Sequence, residues 1–163
     1  MRGLLGDQRV DRSIERLAQH WRRLLTKTVT VGVAGSAGKT TTKELLLGIL
    51  DQRSRGIGNP ASLNRPTEVA KTILQLRPTH DFCVVELNEG TSGDMDAGLA
   101  VSQPDIGIVT VIGNDHWSVY RSRDAIAEEV GKLVRSLPAT GTAVLNADDE
   151  FVLKMMAACP AKV

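Results

Sequence analysis

With 163 residues, 42% of them hydrophobic and 24% charged, the chain has the size and composition of one domain with a buried core, which excludes disorder. Its formal net charge of +1 leaves no electrostatic footprint for nucleic acid or an anionic membrane surface, so both are excluded as partners. No apolar stretch approaches the ~20 residues needed to span a bilayer, and the N-terminus is too charged for a signal peptide. A cytoplasmic monomer is expected.

Residues 12–25 set Ile14, Leu17, Ala18, Trp21, Leu24 and Leu25 at helical spacing, which predicts an amphipathic helix with its arginines and Gln19 mostly on the other face. Residues 28–34 are short-run and β-branched and predict a buried strand. Glycines break that strand, and helical periodicity returns over 40–50. Further on, the pattern predicts helices over 66–76, 92–101, 123–137 and 148–158, and strands over 81–87, 106–112 and 142–145. Alternation of this kind predicts an α/β fold, a mostly parallel sheet with helices on both faces and right-handed crossovers. The apolar runs at 82–85 and 106–112 suit strands buried on both sides. Residues 1–27 read as a linker and connector helix, and 28–163 as one domain. The opening residues resemble a severed linker and 161–163 the start of a strand, so a piece of a longer protein is expected, incomplete at its C-terminal end.

Cys83 and Cys159 have no metal-ligand spacing and are too few for a disulfide framework. Cys83 sits in the apolar run 81–86, where a buried reduced thiol is expected. The strongest chemical signal is Gly35-Ser36-Ala37-Gly38-Lys39-Thr40-Thr41, between a predicted strand and a predicted helix. Glycines let successive backbone N–H groups approach an anion, and the helix start adds further N–H groups and the positive end of its dipole. Lys39 is placed to reach the β- and γ-phosphates of a nucleotide, and the Thr40 hydroxyl to bind Mg²⁺. The usual phosphate loop carries a glycine where this chain has Val33, and the spacing of Gly32, Gly35 and Gly38 does not fit a dinucleotide fingerprint either. Glu86 ends an apolar strand, where an acid can reach a metal held over the carboxyl edge of a parallel sheet. Asn114-Asp115-His116 follows the strand over 106–112 and belongs to the same edge. Taken alone, a histidine in a loop reads as a solvated or capping residue. His20 and His80 receive only that reading, and Met155 and Met156 read as packing.

Together these motifs resemble the central domain of the Mur ligases, which build the peptide stem of bacterial cell-wall precursors. The loop from Gly35 to Thr42, followed by Lys43 and Glu44, is similar to that family's variant phosphate loop, which also lacks the early glycine. Gly58-Asn59 with Leu63-Asn64, then Val85-Glu86-Leu87-Asn88, resemble its next two blocks. Asp115-His116 and the stretch from Leu145 to Asp149 resemble the two after those, and the helix over 13–25 looks like the connector of its D-alanyl-D-alanine-adding members. The resemblance covers about residues 13–157 and makes 28–163 an ATP-binding central domain.

The resemblance implies transfer of the ATP γ-phosphate to a carboxylate of a UDP-linked muramyl peptide. The acyl-phosphate is then attacked by the amine of an amino acid or dipeptide. It also implies roles: Lys39 on the β/γ-phosphates, Thr40 and Glu86 on a first Mg²⁺, His116 on a second, and Asn64 rather than Asn59 near the γ-phosphate. One position departs from the pattern. Val130 stands where the family carries a carbamylated lysine, and Lys132, two residues on, belongs to another helix face. With the substrate-binding and amine-recruiting domains also absent from these residues, the chain alone is expected to be inactive as a ligase. Two rival readings remain: a non-catalytic nucleotide-binding module, which Val130 favours, and an unrelated phosphate-loop kinase or NTPase, which Glu86 and Asp115-His116 disfavour.

Overall fold

The computed structural model describes residues 8–87, 90–91, 93–114 and 117–163, with backbone only for Gln8, Trp117 and Ser118. In chain order these form α1 (Gln8–Leu24), β1 (Val29–Ala34), α2 (Lys39–Leu50), β2 (Gly56–Gly58), α3 (Pro66–Gln75) and β3 (Phe82–Glu86). There follow α4 (Asp94–Ser102), β4 (Ile106–Val109), α5 (Trp117–Tyr120), α6 (Arg123–Ser136), β5 (Thr142–Leu145) and α7 (Glu150–Lys154), which tightens into a 3-10 turn over Met155–Ala158. The strands line up as β2-β3-β1-β4-β5, and every pair is parallel.

Alternation along the strands builds two cores. Val31, Val33, Phe82 and Val84 face Leu46, Leu47 and Leu50 of α2. Cys83 and Val85 point the other way, into a larger core with Ala18, Ile73, Leu99 and Leu133 from α1, α3, α4 and α6. The expected parallel α/β sheet with helices on both faces is therefore present. Local chemistry sets the helix starts: Pro66 opens α3, and the Ser122 side chain caps α6 by accepting from the Ala125 N–H at 3.1 Å. Cys83 is a free, fully buried thiol, and burial pushes its pKa up to about 12.

Four details differ from expectation. The short β2 carries no β-branched run apart from Ile57 and is defined by its pairing with β3. The strand expected to reach 112 ends at Val109, because the next residues leave the sheet to cover the loop after β1. On α1 the buried stripe runs through Ile14, Ala18, Trp21 and Leu25, which leaves Leu17 and Leu24 on its flank, each 59% exposed. Arg22, expected on the polar face, is buried. Its guanidinium donates to the carbonyls of Ser102, Leu25 and Gln103 and to the Asp105 carboxylate at 2.8 Å, which in turn accepts from the Thr30 N–H. A five-donor fork suits that cluster of acceptors and fastens the end of α1 to the starts of β1 and β4.

At the other end of the chain, Thr142 and Lys162 form a parallel bridge, and the Ala143 N–H donates to the Lys162 carbonyl at 2.7 Å. Residues 161–163 thus run beside β5, as their sequence predicts. Met155 packs in the core, whereas Met156 is exposed. His80 accepts from the Arg77 N–H and so caps a turn.

Candidate functional site

The loop between β1 and α2 is shaped by two glycines. Gly35 has φ +126°, and a Cβ there would lie 2.3 Å from Thr110 Oγ1 and 3.0 Å from the Val111 backbone N and O. Gly38, at φ +82°, turns the chain into α2. The segment after β4 clamps this loop: the Ser36 N–H donates to the Val111 carbonyl at 2.7 Å, and the Thr110 hydroxyl donates to the carbonyls of Ala34 and Ala37. The first helical bond of α2 is from the Thr42 N–H to the Gly38 carbonyl, so the N–H groups of Lys39, Thr40 and Thr41 precede the helix ladder. Lys39 folds back, and its Nζ donates to the Gly35 carbonyl at 2.5 Å. Ser36 is buried, and among the described residues its Oγ has no hydrogen-bond partner. N–H groups, a helix start and an ammonium on one turn are the features that suit an anion.

Beside that turn stands Glu86. It ends β3 opposite Val33 of β1 and is only 2% exposed. One carboxylate oxygen accepts from the Thr40 hydroxyl at 2.7 Å, the other from the Asn64 Nδ2 at 2.7 Å. Among the described residues no lysine or arginine pairs with it. A carboxylate out of water costs several kcal/mol unless a cation balances it, and two neutral donors leave its charge in place. The residues present therefore fit a bound cation. Among the described residues no group of three or more His, Cys, Asp and Glu gathers to hold a metal. A single carboxylate with a hydroxyl suits Mg²⁺, which completes its shell from phosphates and water. Of the two asparagines, Asn59 is consumed by the backbone: its amide donates to the carbonyls of Leu63 and Glu86 and accepts from the Glu86 N–H. Asn64 faces the carboxylate.

Asp115 and His116 lie outside the described residues, as does Asn88. The chain leading to them is held firmly. The Ile112 N–H donates to Asp149 Oδ2 at 2.8 Å, and the Arg123 guanidinium donates to the Ile112 carbonyl. Asp149 Oδ1 also caps α7 by accepting from the N–H groups of Phe151 and Val152, and Arg123 stacks 4.3 Å from the Phe151 ring. Burial pushes the Asp149 carboxyl up, but the backbone donors Ile112, Val152 and Phe151, with Arg123 beside them, outweigh it and hold the pKa below the ordinary carboxylate range. A lowered folded-state pKa stabilises above the unfolded value and stops doing so as pH falls through the folded one. Asp149→Ala is expected to cost about 2 kcal/mol at pH 7. That gap should narrow below about pH 4. Urea unfolding at pH 7 and pH 3 checks it, and an equal gap at both pH values would refute the charged clamp.

A cavity of about 610 Å³ opens at the opposite edge of the sheet between Arg23, Lys27, Gln103 and Pro138, away from the loop and Glu86. The loop and Glu86 lie instead at the carboxyl ends of β1 and β3, where ligands of open parallel sheets bind.

Residues 33–163 match the family model of the Mur ligase middle domain. The chain belongs to that family. It is 36% identical over 140 residues to the UDP-N-acetylmuramoyl-tripeptide–D-alanyl-D-alanine ligase of Synechocystis sp., covering 86% of this chain and 31% of that enzyme. To the Escherichia coli K12 ligase of the same name it is 30% identical over 129 residues, 79% of this chain and 28% of that one. The crystal structure of MurF from Acinetobacter baumannii superposes with a TM-score of 0.88 at 27% identity, over 93% of this chain and 34% of that one. MurF from Thermotoga maritima, solved in complex with ADP, shares the fold at a TM-score of 0.80 and 22% identity, over 93% of this chain and 35% of that one. The chain thus spans roughly a third of the length of these relatives.

In this Mur ligase middle domain Val130 is fully buried in the larger core, and Lys132 reaches Asp96 at 2.7 Å and Glu129 at 2.8 Å. Pattern reading missed Thr110 and Arg123, whose side chains hold backbone carbonyls of the loops. It quoted Lys43 only as part of a motif. A lysine inside the leucine-rich α2 was the one available hint that this position faces something other than solvent.

Proposed function

We propose that this middle domain binds ATP with Mg²⁺. Within a longer polypeptide it would activate a carboxylate of a UDP-linked muramyl peptide as an acyl-phosphate, for attack by an amino acid or dipeptide. D-Alanyl-D-alanine, named in its relatives, is the favoured acceptor. The observation that carries the reading is the buried Glu86 carboxylate, unbalanced by any described cation, beside the Thr40 hydroxyl at the mouth of the phosphate loop.

In this reading the loop from Gly35 to Thr41 cradles the phosphates, and Lys39 swings from the Gly35 carbonyl onto the β- and γ-oxygens. Thr40 and Glu86 hold Mg²⁺, Asn64 lies near the γ-phosphate, and His116 helps to hold a second metal. Bound Mg²⁺ supplies positive charge against the phosphoryl oxygens, and the chain's own contribution is alignment and charge stabilisation. Residues up to 27 serve as linker and connector helix to a preceding domain, and the site faces a cytoplasmic substrate.

Lys39→Ala is expected to weaken Mg·ATP binding about tenfold with little change in melting temperature, since it removes a charge-assisted contact to the phosphates from a half-buried position. Equal calorimetric affinities for the two proteins would sink the phosphate-loop reading. Val130 favours a second reading, a nucleotide-binding module without ligase turnover, because an apolar side chain in the core cannot bridge to a metal. Phosphate release by the full-length polypeptide, with and without a UDP-linked muramyl peptide, separates the two.

A further inference from the structure

Lys43 lies one turn beyond Lys39 on α2 and is fully buried. Its ammonium donates to the carbonyls of Asn59 and Ala61. The Glu44 carboxylate is 3.1 Å away but 55% exposed, so water screens it and the two loop carbonyls are the ammonium's main partners. Taking a lysine out of water is costly, and a leucine would fill such a helix position without that cost. Loop 59–64 also carries strain. Ala61 has φ +47°, in the left-handed region that a side chain disfavours. Something must hold the loop in that shape. Asn59 fastens it to the end of β3, and Lys43 fastens it to α2. At its far end Asn64 reaches Glu86.

We propose that Lys43 is a positioning residue. It bolts loop 59–64 to α2, so that Asn64 from the loop and Thr40 from the same helix converge on the two oxygens of one carboxylate. Thr40 and Lys43 are three positions apart and share a helix face, so one rigid element sets both contacts. The proposal rests on the reading of Glu86 as the Mg²⁺ ligand in the nucleotide site, and it adds a residue that never touches the ligand.

The test is a double-mutant cycle on the 163-residue chain with Lys43→Met and Asn64→Ala. Calorimetry follows ATP binding with Mg²⁺ and in EDTA, and hydrogen exchange follows the amides of loop 59–64. Each single variant is expected to lose about tenfold in Mg·ATP affinity. The double variant should lose no more than about twofold beyond either single, since both break the same convergence. In Lys43→Met, which touches no ligand, metal-free ATP binding should stay unchanged, and the loop amides should exchange faster while α2 stays protected. Wild-type Mg·ATP affinity in Lys43→Met, losses that multiply in the double variant, or equal losses with and without Mg²⁺ in Lys43→Met would overturn the proposal. If Lys43→Met does not fold, Lys43→Gln, whose amide can serve one of the two carbonyls, enters the same cycle under the same criteria. A wild-type chain that binds no Mg·ATP overturns the nucleotide reading and this proposal with it. A wild type that binds, paired with an indifferent Lys43→Met, overturns this proposal alone.

Discussion

Glu86→Gln is expected to leave the melting temperature unchanged or raised while lowering Mg·ATP affinity by about a hundredfold, roughly 2.7 kcal/mol. The two effects have opposite signs because the carboxylate is poorly placed for stability and well placed for a cation. Its oxygens accept from Thr40 and Asn64, and no described side chain balances its charge. A glutamine can keep both contacts. Its carbonyl oxygen accepts from Asn64, and its amide donates to the Thr40 hydroxyl, which can accept as readily as it donates. The substitution thus removes the cost of a buried unpaired charge and none of the packing. The amide offers a metal only a neutral oxygen, already engaged by Asn64. Thermal unfolding with and without Mg·ATP reads both effects at once. A large loss of stability with unchanged ligand-induced protection would mean that Glu86 is a structural acid, and the metal reading would fall.

The parts of this fold that were legible in the sequence are those fixed by local pattern. Val29, Thr30, Val31 and Val33 form a β-branched run that stops at glycine, and the helix-forming run after Gly38 begins at once, so β1, the loop and α2 could each be placed. Thr40 and Glu86 followed, because parallel strands deliver their C-terminal residues to one edge. Illegible were features made by contact between distant segments. β2 is three residues with two glycines and has no strand propensity of its own; pairing with β3 creates it. Arg22 and Lys43 look like surface charges under a periodicity rule. Each is buried because a loop or helix end, far off in sequence, presents carbonyls to it. The physical reason for Asn64 over Asn59 lies in the folded register, where the Glu86 backbone claims Asn59 and the carboxylate claims Asn64.

Gly35→Ala should be severely damaging, costing about 4 kcal/mol. Two causes add. The backbone at φ +126° lies where L side chains are rarely found, and the new Cβ would sit 2.3 Å from Thr110 Oγ1 and 3.0 Å from the Val111 N and O. Neither neighbour can retreat cheaply. The Thr110 hydroxyl is bonded to the carbonyls of Ala34 and Ala37, and the Val111 carbonyl accepts from the Ser36 N–H. Relief would therefore pull β4's exit away from the phosphate loop, so ATP binding should fail along with stability. For a chain of this size the expected fall in melting temperature is about 8–16 °C. Gly48→Ala is the matched control, a methyl added inside α2 where nothing lies within 4 Å. It should stabilise by about 0.5–1 kcal/mol through helix propensity alone. The contrast isolates position from composition: the same substitution, thirteen residues on, changes sign because one glycine is wedged between two strand ends and the other is bare. Equal, small shifts for the two variants would show that the loop after β1 is looser than its contacts with Thr110 and Val111 imply, and a loose loop could not preset its N–H groups for phosphate.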